Sequence, residues 1–255
     1  MRRALGWVPG RVLGLCCGLL LWLSAPGFAL ECRQDTHLSN RYTVCTADLA
    51  QDELRLFLYN EEGAPFGHFS PVNTALAAEG KVLSFAMNAG MYHEDRSPVG
   101  LYLERGTQVQ RLITSDGPGN FGLLPNGVFC MREGAAEVIE TRSYAKTAPD
   151  CTYATQSGPM LVIDGALHPR FLPDGTSKYI RNGVGVSRDG KQAIFVISRN
   201  SVNFHDFGSY FKDVLGTPNA LYFDGNISRI YAPSIGAYGP GWRMGPIVGV
   251  VAGKP

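Results

Sequence analysis

The chain lacks most of the signatures that mark an enzyme class. Only five of its 255 residues are histidine, and they are scattered. No H-E-x-x-H occurs and residues 30–255 hold no C-x₂-C, so neither a zinc-hydrolase helix nor a structural zinc site is spelled out. G-x-x-x-x-G-K-[ST] is absent, and no G-x-G-x-x-G opens a helix. The paired glycines of "NGVGVS" (182–187) fall in a strand-like run, so they make no nucleotide loop. A nucleophile elbow is missing too: Thr155, not glycine, stands two residues before Ser157 in "TQSGPM". An excess of one charge is lacking, with 23 Lys and Arg against 22 Asp and Glu. That balance offers no basic field for nucleic acid and no basic helix for a membrane surface. No cofactor and no metal ion is expected.

A long apolar run is absent as well. "VLGLCCGLLLWL" (12–23) falls short of the ~20 residues that span a bilayer. Preceded by Arg2, Arg3 and Arg11 and followed by "APGFA", it reads as a signal peptide over residues 1–29, cut after Ala29. Leu30-Glu31 before Cys32 does not suit a lipoprotein site. The exported chain then carries 20 basic against 22 acidic residues, since three arginines leave with the peptide. No stable membrane insertion is expected after cleavage, and the location read from this is periplasmic or secreted. Four cysteines remain, an even number that implies disulfides in an oxidising compartment. They permit three connectivities, of which the sequence-local pairs Cys32–Cys45 and Cys130–Cys151 are expected.

What is present is glycine, 31 residues of it, punctuating short β-type runs. Hairpins are expected over 99–112 at Arg105-Gly106, 127–140 at Glu133-Gly134, and 183–198 at Asp189-Gly190. In "NFHDFGSYFKDVLG" (203–216), Phe204, Phe207, Phe211, Val214 and Leu215 share one helical face, and Gly216 and Pro218 end it. A short helix over 72–80 leads into "VLSFAM" (82–87). The expected class is α+β: one domain over 30–255 with a mixed, largely antiparallel sheet and a few helices packed on it.

Three apolar strands end in polar residues: "VLSFAM" in Asn88-Ala89-Gly90, "MLVI" (160–163) in Asp164-Gly165, and "ALYF" in Asp224-Gly225. Such ends are where a rigid scaffold presents functional groups. Arg181 and Asn182 precede another strand, and an arginine holds phosphate by paired hydrogen bonds. Each has an ordinary alternative. Asp-Gly is a common turn, and it occurs five times here. Arg181 also fits a surface ion pair, and Asn88 a left-handed position. His205 and Asp206 offer a metal pair with Asp224, although Asp206 fits the first turn of a helix equally well. "NIS" (226–228) is formally a glycosylation sequon.

Taken in order, "NAGMY…SPVGLYLERG", "GNFGLLPNGVF", "TQSGPMLVIDG", "RNGVGV" and "NALYFDGNIS" resemble the phosphodiester glycosidase family across most of residues 80–232. The resemblance implies an exported hydrolase that frees a sugar such as N-acetylglucosamine from its 1-phosphodiester in an envelope or extracellular glycoconjugate. Its substrate partner would be a phosphoglycan or sugar phosphate. The resemblance nominates Asn88 with Gly90, Gly158-Pro159 with Asp164-Gly165, Arg181 with Asn182, and Asp224-Gly225. Ala89 stands where many relatives have glycine, and Asn226-Ile227 replaces a glycine-rich run. The expelled phosphomonoester is a stable anion that scarcely needs protonation, so one carboxylate suffices where ordinary glycosidases use two. Asp224 is the expected catalytic carboxylate, Asp164 the second choice, Arg181 the phosphate clamp, and Asn88 and Asn182 partners of sugar or phosphate oxygens. A non-catalytic phosphoglycan-binding protein and a metal-dependent phosphodiesterase are the competing expectations.

Overall fold

The computed structural model describes residues 1, 30–225, 227–239 and 241–254; the rest of the signal-peptide segment and Asn226 of the sequon lie outside the described residues. In chain order the elements are β1 (Glu31–His37), β2 (Asn40–Asp48), β3 (Glu53–Phe57), α1 (Phe69–Ala78), β4 (Lys81–Asn88), β5 (Tyr102–Glu104), β6 (Thr107–Gln110), β7 (Gly127–Arg132) and β8 (Ala135–Glu140). Then follow α2 (Thr141–Thr147), β9 (Tyr153–Ser157), β10 (Met160–Ile163), β11 (Ala166–Leu167), β12 (Asn182–Val186), β13 (Gln192–Ser198), α3 (Phe204–Ser209), β14 (Asn219–Asp224), β15 (Ile230–Tyr231) and β16 (Ile247–Gly253).

The three expected hairpins form as β5/β6, β7/β8 and β12/β13. Their turns use left-handed residues where glycine marked them, Gly106 at φ 76°, Gly134 at φ 70° and Gly190 at φ 74°. The α+β, largely antiparallel class holds. The strands divide among three sheets rather than one, in orders β1-β2-β13-β12-β14-β10-β11, β15-β4-β16-β3 and β6-β5-β9-β7-β8. Every strand pairing among the described residues is antiparallel. Twisted open sheets rarely exceed about ten strands without splitting, which is the physical reason for the division.

The sheets meet at an aromatic junction. Phe85 of β4 and Phe195 of β13 have ring centroids 4.9 Å apart, Phe129 of β7 stands 6.0 Å from Phe195, and Phe223 of β14 stands 6.3 Å from Phe129. All four are fully buried. At about 2–3 kcal/mol per ring, this junction binds the three sheets into one body. Leu221 and Phe223 join this core, whereas Ala220 and Tyr222, alternating with them, pack on the α3 side. β14 is thus buried on both faces, which is why "ALYF" is apolar throughout.

The helix expected over 203–216 forms with one change. α3 gives way to a π-helical stretch at Tyr210–Val214, where an inserted residue rotates Val214 into solvent while Phe207 and Phe211 stay buried. α1 buries Phe69, Val72 and Leu76 at i, i+3 and i+7, starting three residues earlier than its apolar pattern suggested. Among the described residues no helix is long and apolar enough to cross a membrane.

Both expected disulfides form. Cys32 and Cys45 are direct cross-strand partners of β1 and β2, and Cys130 of β7 is joined to Cys151 ahead of β9. The second closes a loop of 21 residues, so the double variant Cys130→Ser/Cys151→Ser should lose about 3 kcal/mol in a denaturant titration. An unchanged midpoint would show that the packing of β7 on β9 already restrains that segment.

Candidate active site

Asp224 does not occupy a hairpin turn. β14 ends with it, and the next strand, β15, pairs with β4 of the four-stranded sheet. At this end β14 carries an extra residue relative to β12: Gly183 faces Tyr222 and Asn182 faces Asp224. Such a bulge re-aims side chains beside a cleft. The cleft here has a volume of about 620 Å³ and is walled by Tyr92, Tyr179, Tyr222, Ser177, Asn120 and Asp224. Asp224 is the one carboxylate among its described lining residues. Its Oδ1 accepts the Gly225 N–H at 2.6 Å, and its backbone carbonyl accepts the Ser228 hydroxyl at 2.8 Å.

Tyr222 reaches the same cleft from two residues earlier. Its hydroxyl is buried beside the Arg181 guanidinium, and among the described residues it has no acceptor for its proton. It lies against Gly225, where a Cβ would stand 2.1 Å from the oxygen, so only glycine fits. Burial raises the Tyr222 pKa, with the Arg181 cation acting against that and the Asp224 charge adding to it. Tyr92, on the facing wall, is likewise raised by burial first and by Asp224 second. Both phenols therefore remain protonated donors at neutral pH.

Arg181 is fully buried behind Tyr222. Its Nε donates to Val202 O at 3.0 Å and its Nη2 to Ser177 O at 2.9 Å, and its guanidinium lies 3.6 Å from the Phe204 ring centroid. Among the described residues, Nη1 has no carbonyl acceptor and the guanidinium lies against Tyr222. The expected two-bond phosphate clamp at Arg181 is therefore corrected: backbone carbonyls consume the fork, and the cation backs the Tyr222 wall.

Asn88 and Asn182 are also placed differently from expectation. Both are fully buried and form a reciprocal amide pair: Asn88 Nδ2 donates to Asn182 Oδ1 at 3.2 Å, and Asn182 Nδ2 donates to Asn88 Oδ1 at 3.0 Å. Asn182 Oδ1 further accepts the Asp224 N–H at 3.2 Å, and Asn88 Oδ1 accepts the Arg229 N–H at 2.9 Å. Their side chains thus tie the Asp224 end of β14 to β4 and to Arg229.

Asp164 is a turn residue, against its nomination as a second carboxylate. It is exposed, with φ 49° followed by Gly165 at φ 81° in the β10/β11 hairpin. Its N–H donates to Asn219 Oδ1, at the opposite end of β14 from Asp224. Five residues at ~3.3 Å each separate the two ends by about 17 Å, too far for paired carboxylates. The metal set of His205, Asp206 and Asp224 is not assembled either. His205 contacts Asp206, which accepts from Asn40 Nδ2 at 3.1 Å outside the cleft. No group of three His, Cys, Asp or Glu suited to a metal occurs among the described residues.

The nominated glycines make close packing. A Cβ on Gly158 would lie 2.5 Å from Asn126 Cβ, and Gly90, at φ 146°, faces Thr155 Oγ1. Pro159 O accepts the Tyr222 N–H at 3.2 Å, so the Gly158-Pro159 segment backs the Asp224 end of β14. Gln156 pins the loop bearing Asn120, accepting from Leu101 N and Ile113 N and donating to Ile113 O. The sequence reading did not single out the cleft-wall tyrosines Tyr92, Tyr179 and Tyr222. Only Tyr222 had a sequence signal, its position two residues before Asp224 on one strand.

The comparisons agree with this architecture. The family model described as phosphodiester glycosidase matches residues 81–236. The Escherichia coli K12 protein YigE, itself described as uncharacterised, is 35% identical over 186 residues, which are 73% of this chain and 72% of that protein. Among solved structures, the catalytic domain of zebrafish N-acetylglucosamine-1-phosphodiester alpha-N-acetylglucosaminidase, auto-inhibited by pro-peptide, superposes with TM-score 0.60 at 12% identity, covering 89% of this chain and 84% of that one. A hypothetical protein from Synechocystis gives TM-score 0.56 at 14% identity, covering 88% and 62%.

Proposed function

Because the chain belongs to the phosphodiester glycosidase family, we propose that it hydrolyses the glycosidic bond of a sugar-1-phosphodiester, of the N-acetylglucosamine type, with Asp224 as the catalytic carboxylate. The observation that carries this reading is one carboxylate, the single one among the described lining residues, in a cleft walled by the protonated phenols of Tyr92 and Tyr222. The bond from the anomeric carbon to the phosphate oxygen breaks, and the phosphate leaves as a monoester. Water supplies oxygen to the anomeric carbon, and its proton passes to Asp224 if the carboxylate acts as base. If Asp224 attacks first, water resolves the glycosyl ester instead. Two disulfides support a periplasmic or secreted location, with an envelope or extracellular glycoconjugate as substrate.

The test is product identity from a synthetic N-acetylglucosamine-1-phosphodiester. Free sugar plus a phosphomonoester is expected. Sugar phosphate plus free alcohol would assign a phosphodiesterase, and saturable binding without turnover would assign a binding protein.

Tyr222 is placed to donate to an oxygen of the phosphate. With the Arg181 cation beside it and no acceptor among the described residues, its hydroxyl proton is left for a ligand of the cleft. Tyr222→Phe should lower kcat by about 10–100-fold, the worth of one hydrogen bond to a charged group, and leave the melting temperature unchanged. A loss of thermal stability with unaltered kcat would make the hydroxyl a packing group.

A further inference from the structure

Two arginines in the four-stranded sheet's half of the molecule are equally buried, each 7% exposed, and they are treated oppositely. Arg55 is paired with Glu53 at 2.6 Å and Glu79 at 3.0 Å. Arg229, just before β15, has no ion pair among the described residues, and neither its Nη1 nor its Nη2 has a hydrogen-bond partner. An unpaired buried guanidinium costs several kcal/mol, so a chain that retains one gains something other than stability.

The surroundings are arranged for an anion. Gly241, at φ 140°, lies over the guanidinium, and a Cβ there would stand 1.9 Å from Nη2. His68 lies within range of both Arg229 and Arg243, which together with burial depress its pKa. Among the described residues no ion pair joins a carboxylate to Arg229 or Arg243. Arg229 also shares its mount with the catalytic group, because its N–H is held by Asn88 Oδ1 and the Asp224 N–H by Asn182 Oδ1 within one amide pair. Tyr92 of the cleft wall feels both the Asp224 charge and the Arg229 charge.

We propose that Arg229 is the anion-binding residue of this site, its two free Nη groups taking the phosphate of the sugar-1-phosphodiester on the Tyr92 side of Asp224. The proposal rests on the function assigned above and names the residue that recognises the phosphate. Nη1 and Nη2 together present the flat fork that pairs with two phosphate oxygens, which the committed fork of Arg181 does not.

The probe is inorganic phosphate, titrated against the melting temperature at ionic strength balanced with chloride. The wild-type protein and Asp224→Asn should both be stabilised as phosphate rises, since a ligand of the folded state raises its melting point. Arg229→Met should abolish that shift, and Arg229→Lys, which keeps the charge but not the fork, should need about tenfold more phosphate. Without phosphate, Arg229→Met should melt at or above the wild type. A phosphate response that survives in Arg229→Met overturns the proposal, and so does a phosphate-free melting point well below wild type, which would mark Arg229 as structural. The two readings fail separately. Hydrolysis retained in Asp224→Asn sinks the catalytic assignment alone, whereas phosphate binding retained in Arg229→Met sinks this one alone.

Discussion

Asp224→Asn should slow hydrolysis of an N-acetylglucosamine-1-phosphodiester by about 10³-fold or more, with substrate still bound and the melting temperature unchanged. The substitution is nearly isosteric, and the amide oxygen can still accept the Gly225 N–H that Oδ1 accepts at 2.6 Å. What it removes is negative charge and basicity, the properties needed to take a proton from water or to attack the anomeric carbon. A positioned general base contributes about 10²–10⁴-fold, and no second carboxylate among the described lining residues is available to substitute. The same substitution should lower the pKa of Tyr92 and Tyr222, because the Asp224 charge helps to hold both phenols up. An ultraviolet pH titration of tyrosine ionisation reads this independently of turnover. Wild-type turnover in the variant would falsify the assignment, and tyrosine titration unchanged between the two proteins would show that Asp224 does not face the phenols.

Asn182→Ala should be strongly damaging although Asn182 lines no part of the cleft. It removes the acceptor of the Asp224 N–H, which is partly buried, and of the Asn88 Nδ2 amide, which is fully buried. At about 1–3 kcal/mol for each orphaned donor, the loss is roughly 4 kcal/mol. For a folded chain of this size that lowers the melting temperature by about 8–16 °C. Asn182 faces Asp224 across the bulge, so kcat should also fall while binding of inorganic phosphate weakens less. Differential scanning calorimetry with steady-state kinetics measures both effects. A melting point within a degree or two of wild type would mean that the amide pair is not the mount described here.

The two substitutions probe different kinds of legibility. Strand and hairpin placement was readable because β-turn glycines and apolar alternation are local, so Gly106, Gly134 and Gly190 turn where the chain says they do. The cysteine pairs were readable for the same reason of short separation. Val214 was not, since a π-helical insertion shifts a periodicity that a 3.6-residue count assumes. Asp164 and Asp224 are the instructive contrast. Both follow an apolar strand and precede glycine, yet one closes a two-residue hairpin and the other ends a bulged strand beside the cleft. What separates them is the strand that comes next: β11 folds back on β10, while β15 crosses to another sheet.

By itself the sequence determined the local grammar of this protein: an α+β chain of short antiparallel strands, two disulfides, and the segments that resemble phosphodiester glycosidases. Those depend on composition, period and order, which the chain displays directly. Only the tertiary structure decided the roles of the polar residues. Asn88 and Asn182 are 94 residues apart and became one buried amide pair. Arg181 was spent on backbone carbonyls and aromatic rings, while Arg229 was left with its fork unpaired. The physical reason is that a buried polar group is defined by its partners, and these partners come from two sheets, α3 and the loops between them, which the chain brings together only when it folds.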